Sequence, residues 1–262
     1  MRDVENEKIR DVENEIMRDG EMEIMRNGEI GIMRDGWLRL VVTAVFLSHF
    51  LISSFSQSPT PREWRDSVSV LIEAINKNPK DINLRLLKGE ANINLKQWEY
   101  AVQEYGYVLR LDEQNLAALY FRAYCHTQMH HYDLAKVDYE TFLTIQPEHF
   151  EAHLGLAHTL QKLGRKTDTF DELNRIVQLF PDSAEAYAAR AVYEAEYKLY
   201  NAAVYDWDEA LRLQPNNVEY AVSKVDVLIR QGRRHEARDV LDALVRRGTS
   251  RGALKEWYDQ LK

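Results

Sequence analysis

FPDSAEAYAARAVYEAEYKLYNAAVYDWDEALRLQPNN, Phe180–Asn217, opens and closes on the same kind of turn, FPDS and then QPNN. QPEH at Gln146 and NPKD at Asn78 are further copies. Pro147, Pro181 and Pro215 are spaced 34 residues apart, and Pro79 precedes Pro147 by 68, twice that step. The missing member falls on Glu113, in LDEQN. Other columns keep the step. One holds small residues at Gly89, Ala123, Ala157 and Ala191, then Val225; another holds Ala101, Ala135, Ala203 and Ala237, with Thr169 in the third place. A third is large: Tyr105, Tyr139, Leu173, Trp207 and Leu241. Small residues let two helices approach closely, the large one fills the space between them, and proline ends the second helix because it cannot extend the hydrogen-bond ladder. Only 11 Gly and 6 Pro occur in 262 residues, which favours long helices over many short strands joined by tight turns.

A 34-residue period with these columns resembles the tetratricopeptide repeat, a helix–turn–helix unit. The resemblance implies an all-α fold, a right-handed α-solenoid of such repeats with capping helices at both ends. Residues 82–251 hold five repeats: 82–115, 116–149, 150–183, 184–217 and 218–251. Arg85, Lys88 and Asn92 stand where the family usually has Trp, Leu and Tyr, and Thr249 replaces the last proline, so the end repeats are atypical. A stack of repeats needs its terminal apolar faces covered. In residues 58–81, Trp64, Leu71 and Ala74 lie one period before Trp98, Tyr105 and Val108, which predicts a single N-terminal capping helix. In residues 252–262, Leu254, Trp257, Tyr258 and Leu261 at helical spacing predict a C-terminal one.

The start of the chain reads differently. Residues 1–36 repeat RDVENE and IMRDG at eight-residue spacing and lack the apolar density of a folded core. An apolar run from Leu40 to Ile52 follows, flanked by Arg34 and Arg39, with Ser54-Phe55-Ser56 before Gln57. That run is short for a membrane span and fits a signal-peptide core. The expectation is that residues 1–32 are non-structural or misassigned upstream sequence, that translation starts at Met33, and that 33–57 are a cleaved signal peptide. The product would be periplasmic or secreted, with no membrane span in the mature chain. The alternative is a cytoplasmic tail on an uncleaved inner-membrane anchor. The whole chain has net charge −8; residues 1–57 hold 7 of its 34 Lys+Arg and 11 of its 42 Asp+Glu, leaving −4 for the body. A mildly acidic body does not favour nucleic-acid binding. One cysteine excludes an intramolecular disulfide.

Several side-chain clusters ask for a chemical reading. YCHTQMHHYD, Tyr124–Asp133, gathers Cys125, His126, His130 and His131, with His126 and His130 at the four-residue spacing of two ligands on one helical face. Period alignment instead puts His130 in the turn between helices, with Lys96, Gly164, Lys198 and Gly232, and no neighbouring repeat supplies further ligands. The expectation is no metal and no cofactor. Arg122 and Arg190 stand sixteen residues before Asp138 and Asp206, as Lys88 does before Glu104, which points to ion pairs between the two helices of one repeat. Asp206 and Asp208, on opposite sides of a second helix, read as a solvated face. No phosphate loop, nucleophile elbow or HExxH is present, and catalysis is not expected.

The resemblance implies an interaction module. In each first helix, residues three and four apart form one stripe away from the small-residue column, and in tetratricopeptide-repeat proteins this stripe generally lines the concave surface. Here it includes Leu86, Glu90, Tyr120, Tyr124, Leu154 and His158, the residues expected to meet a protein or peptide partner. The stripe lacks the lysine and asparagine set with which some family members clamp a C-terminal carboxylate, and Leu86 and Glu90 turn it away from that ligand class. Two other readings stay open: a structural or regulatory subunit of an envelope enzyme system, and a groove enzyme using His158 with Glu90. Tyr120 and Tyr124 can also simply fill space between neighbouring first helices.

Overall fold

The computed structural model describes residues 59–262; the expected upstream segment and signal peptide lie outside the described residues. Among these, every regular element is a helix: α1 (Pro61–Lys77), α2 (Ile82–Asn94), α3 (Trp98–Leu111), α4 (Leu116–Gln128), α5 (Tyr132–Ile145), α6 (Phe150–Lys162), α7 (Lys166–Leu179), α8 (Ala184–Glu196), α9 (Tyr200–Leu213), α10 (Val218–Arg230), α11 (Arg234–Arg246) and α12 (Lys255–Asp259).

Local chemistry sets both ends of the first helix in each repeat. Asp81, Asn115, His149, Ser183 and Asn217, one period apart, are the N-caps of α2, α4, α6, α8 and α10. Each side chain accepts a hydrogen bond from a first-turn amide, as Asn115 Oδ1 does from Ala118 N at 3.0 Å and His149 Nδ1 from Ala152 N at 3.1 Å. A cap of this kind satisfies a donor that the helix itself cannot. The preceding proline, two residues upstream in four of the five, has already stopped the helix before. The far ends share one turn. Lys96, His130, Gly164, Lys198 and Gly232 all have positive φ, between 56° and 75°. In each, this residue's amide and the next one's reach back to the helix, as Lys96 N does to Ile93 O (2.8 Å) and Gln97 N to Asn92 O (2.8 Å). That pair of bonds is the Schellman motif, which closes a helix with one left-handed residue. The second helix then starts within two residues, too soon for anything but a return along the first.

The described chain forms two compact bodies, residues 59–165 and 166–262, divided inside the third period between α6 and α7. In the N-terminal body α2 packs on α3 and α4 on α5, α4 also touches α2 and α6, and α1 lies on α2. Its core is built from the periodic columns: Ala101, Tyr105 and Val108 of α3, Ala118 and Ala123 of α4, and Ala135, Tyr139 and Phe142 of α5 are all buried. In the C-terminal body α8 packs on α7 and α9, α9 on α10, and α10 on α11. Trp207, Leu228, Leu241 and Leu244 are buried there. This is an all-α arrangement of stacked helix–turn–helix pairs.

The two ends differ in how well they are covered. At the C-terminus Leu254, Tyr258 and Leu261 are buried, and the Tyr258 hydroxyl donates to Asp242. At the other end Thr60 and Glu63 form a capping box that starts α1, which buries Ile75 but leaves Val70 67% exposed. No described helix is long and apolar enough to cross a membrane.

Candidate interaction surface

The six stripe residues fall on three first helices of the N-terminal body: Leu86 and Glu90 on α2, Tyr120 and Tyr124 on α4, Leu154 and His158 on α6. A spacing of four places each pair on one helix face, and α4 packs between the other two helices. Leu86, Tyr120 and Tyr124 are half-buried and rest on the apolar core. Leu154 and His158 are also half-buried, and Glu90 is 9% exposed.

Tyr120 is the most engaged of them. Its ring centroid lies 5.3 Å from Phe121, 6.0 Å from Tyr139, 5.8 Å from Phe142 and 5.6 Å from His149. It therefore ties α4 to α5 and to the cap of α6, and burial together with the nearby Glu151 carboxylate pushes its hydroxyl pKa up. Tyr124 makes a single edge contact with Trp98 at 5.9 Å, and burial pushes its hydroxyl up to about 12. Both phenols are neutral hydrogen-bonding groups at ordinary pH. Burial, with Lys162 adding to it, pushes His158 down to about 4, so its imidazole is neutral as well. His158 Nδ1 has no hydrogen-bond partner among the described residues, so no carboxylate orients the ring through that nitrogen. The stripe thus offers aromatic and aliphatic area edged by neutral polar atoms and by Glu90.

The sixteen-residue pairs meet across the helices of their own repeats. Arg122 Nε donates to Asp138 Oδ2 at 2.8 Å and Nη2 to Oδ1 at 2.6 Å. Arg190 grips Asp206 the same way at 2.6 and 2.8 Å, and Lys88 reaches Glu104 at 2.9 Å. Arg85 also donates to Glu104, at 2.8 Å, a contact the period does not announce because Arg85 has no counterpart in the next repeats. Two parallel N–H···O bonds fix the angle between planar groups, so these pairs set how each helix lies on its partner. The solvated-face reading fails for Asp206, which is 1% exposed beneath Arg190; Asp208 alone faces outward, where it accepts from Lys224.

The histidine-rich stretch separates into individual roles. α4 ends at Gln128, and His130 follows it with a φ of 60°, so the four-residue spacing from His126 is no longer a helical one. His130 Nδ1 instead lies 2.7 Å from the Tyr132 hydroxyl, while His126 is buried and His131 exposed. Among the described residues no group of three or more His, Cys, Asp or Glu is placed to hold a metal ion. Burial raises the Cys125 thiol pKa and keeps it protonated, which removes its nucleophilicity.

Stacked pairs closed by one left-handed residue, with a small column against a large one, have the fold of tetratricopeptide-repeat proteins. Solved structures agree. YrrB, described as a TPR protein with an unusual peptide-binding site, superposes with a TM-score of 0.52 at 20% identity, over 68% of this chain and 92% of that one. A tetratricopeptide repeat protein from Parabacteroides merdae gives 0.56 at 15% identity over 97% and 98%, and MamA gives 0.53 at 18% over 60% and 92%. At such identities the likeness concerns the fold. No protein-family model matches the chain. Among curated proteins, the DnaJ protein P58IPK homolog B of Oryza sativa subsp. japonica is 27% identical over 208 residues, covering 72% of this chain and 40% of that protein. The DnaJ protein P58IPK homolog of Arabidopsis thaliana is 27% identical over 232 residues, covering 80% and 43%. The chain spans less than half the length of the curated relatives it matches.

Proposed function

We propose that this chain is a non-enzymatic scaffold that holds a peptide or protein segment on the first-helix stripe of its N-terminal body. The observation that carries the reading is the half-buried surface of Leu86, Tyr124 and Leu154 on three neighbouring first helices, with Tyr120 beneath it. Aromatic rings with polar tips give large contact area at low entropic cost, the make-up of binding hot spots. The stripe has no lysine or arginine, which turns it away from acidic segments and terminal carboxylates. Export through the apolar segment at 33–57 belongs to the same reading, with a periplasmic or secreted location. A second reading is favoured by the relatives named DnaJ proteins: the chain is the repeat portion of a chaperone-linked system, and its partner is an extended apolar segment of a client.

The test is binding of a peptide library to the chain and to its Tyr124→Ala and Leu86→Ser variants. A groove role requires at least a 10-fold loss of affinity with the melting transition nearly unchanged. Tyr120→Ala is the structural control and should lower the melting temperature. Bound peptides that ignore both stripe variants would overturn the assignment, and an intact mass that retains residues 33–57 in the recovered protein would overturn export.

A further inference from the structure

The ion pairs of repeats one, two and four each have a third member that the period places four residues after the base: Asn92, His126 and Glu194. All three are buried, and Asn92 Nδ2, His126 Nδ1 and Glu194 Oε2 have no hydrogen-bond partner among the described residues. In repeats three and five the same position is Leu160 and Leu228. Those repeats lack the internal pair: Leu156 takes the base position in one, and in the other Lys224 faces Val240 across the sixteen-residue step and bonds Asp208 instead. A polar third residue therefore accompanies a buried ion pair, and an apolar one replaces it where the pair is gone.

Glu194 is the member whose charge matters. Arg190 spends Nε and Nη2 on the two oxygens of Asp206 and Nη1 on Asn174 Oδ1 at 2.9 Å. Glu194 stands four residues after Arg190 on α8, buried and with Oε2 unpartnered among the described residues, where burial and the Asp206 carboxylate both favour its protonated form. The charged groups that reach it are Arg190 on its own helix and Asp206 on α9; from α7 the neutral Asn174 meets the cluster through Arg190. One cation faces two buried carboxyl groups, and like charges so close cannot both ionise cheaply.

We propose that Glu194 is a proton lock of the α8–α9 pair: it stays a carboxylic acid in the folded protein and lets the pair open more readily as pH rises. Burial first, then Asp206, push Glu194 up to about 8, with Arg190 opposing. In the opened chain the same carboxyl ionises near 4.5. Between these values the folded form binds the extra proton, so the stabilisation is complete below the lower value and is lost as pH rises toward the upper one. Repeats one and two cannot respond this way, since their third residues are an amide and a neutral imidazole.

The experiment follows the carboxyl carbons of the full chain by NMR across pH, with amide hydrogen exchange in α8 and α9 measured alongside. One glutamate signal should titrate near pH 8 and be absent from Glu194→Gln. Between about pH 5.5 and 8 the opening equilibrium of α8 and α9 amides should rise by up to about 10-fold per pH unit more in the wild type than in Glu194→Gln. In Asp206→Asn, Arg190 is left with Glu194 as its only carboxylate, and the midpoint should fall by at least about two units. A wild-type midpoint in the ordinary glutamate range, or the same exchange slope with and without Glu194, overturns the proposal. Should Asp206→Asn fail to fold, the wild type and Glu194→Gln still decide it.

Discussion

The ring of Tyr105 lies directly on the backbone of Gly89: a β-carbon added at Gly89 would stand 2.6 Å from Tyr105 Cζ and 2.7 Å from Cε1. Gly155 and Tyr139 repeat the relationship, at 2.5 Å from Cζ. Both tyrosines are buried, so neither ring has room to retreat. Gly89→Ala should therefore destabilise the protein by about 1–3 kcal/mol, although alanine is the better helix former by about 1 kcal/mol. Urea denaturation measures this. In a Tyr105→Leu background the penalty for the alanine should shrink, and a stabilising Gly89→Ala would show that the ring yields.

Asp138 is almost fully buried beneath Arg122 and accepts both of its parallel hydrogen bonds. Asp138→Ala strands the guanidinium and should cost on the order of 3 kcal/mol. Adding Arg122→Leu should restore part of that, because an apolar side chain has no charge to leave unpaired. Additive effects around the double-mutant cycle would refute the coupling.

Lys96, His130 and Lys198 hold left-handed backbone where repeats three and five use Gly164 and Gly232. An L-residue pays about 1–2 kcal/mol in that region, while glycine adds unfolded-state entropy worth somewhat less. Each of Lys96→Gly, His130→Gly and Lys198→Gly should raise stability by about 0.5–1 kcal/mol. Gly232→Ala should lower it by a similar amount, and thermal melts of the four variants distinguish the signs.

His158 predicts the acid side of the stability curve. Its folded pKa is pushed down to about 4 from the usual 6.5, by burial and then by Lys162. Below pH 6.5 the unfolded chain takes up a proton that the folded chain refuses, so stability falls as pH drops from about 6.5 toward about 4. Above 6.5 both states are neutral and the contribution is flat. His158→Gln should lose this slope in urea titrations repeated at pH 7, 6, 5 and 4.5; an unchanged slope would place the acid sensitivity elsewhere.

The sequence by itself determined the repeat and everything that repeats with it. A 34-residue period forces equivalent residues into equivalent surroundings, so Tyr105 behind Gly89 and Asp138 beneath Arg122 could be read from fixed offsets along the chain. The recurring proline turns were equally legible, since proline ends the second helix of each repeat at one spacing. What broke the period was left to the tertiary structure. Tyr120 has no aromatic counterpart in other repeats, and only packing shows its ring spanning Tyr139, Phe142 and His149 instead of standing free in the stripe. Asp206 carried two readings in sequence, as the partner of Arg190 and as one of a solvated pair with Asp208, and packing decides between them: it is buried under Arg190 while Asp208 faces water. The raised pKa of Glu194 likewise comes from burial and from Asp206, a property of neighbours brought together from two helices. Local propensity and period act along the chain, whereas burial and charge depend on which side chains from neighbouring helices close over a position.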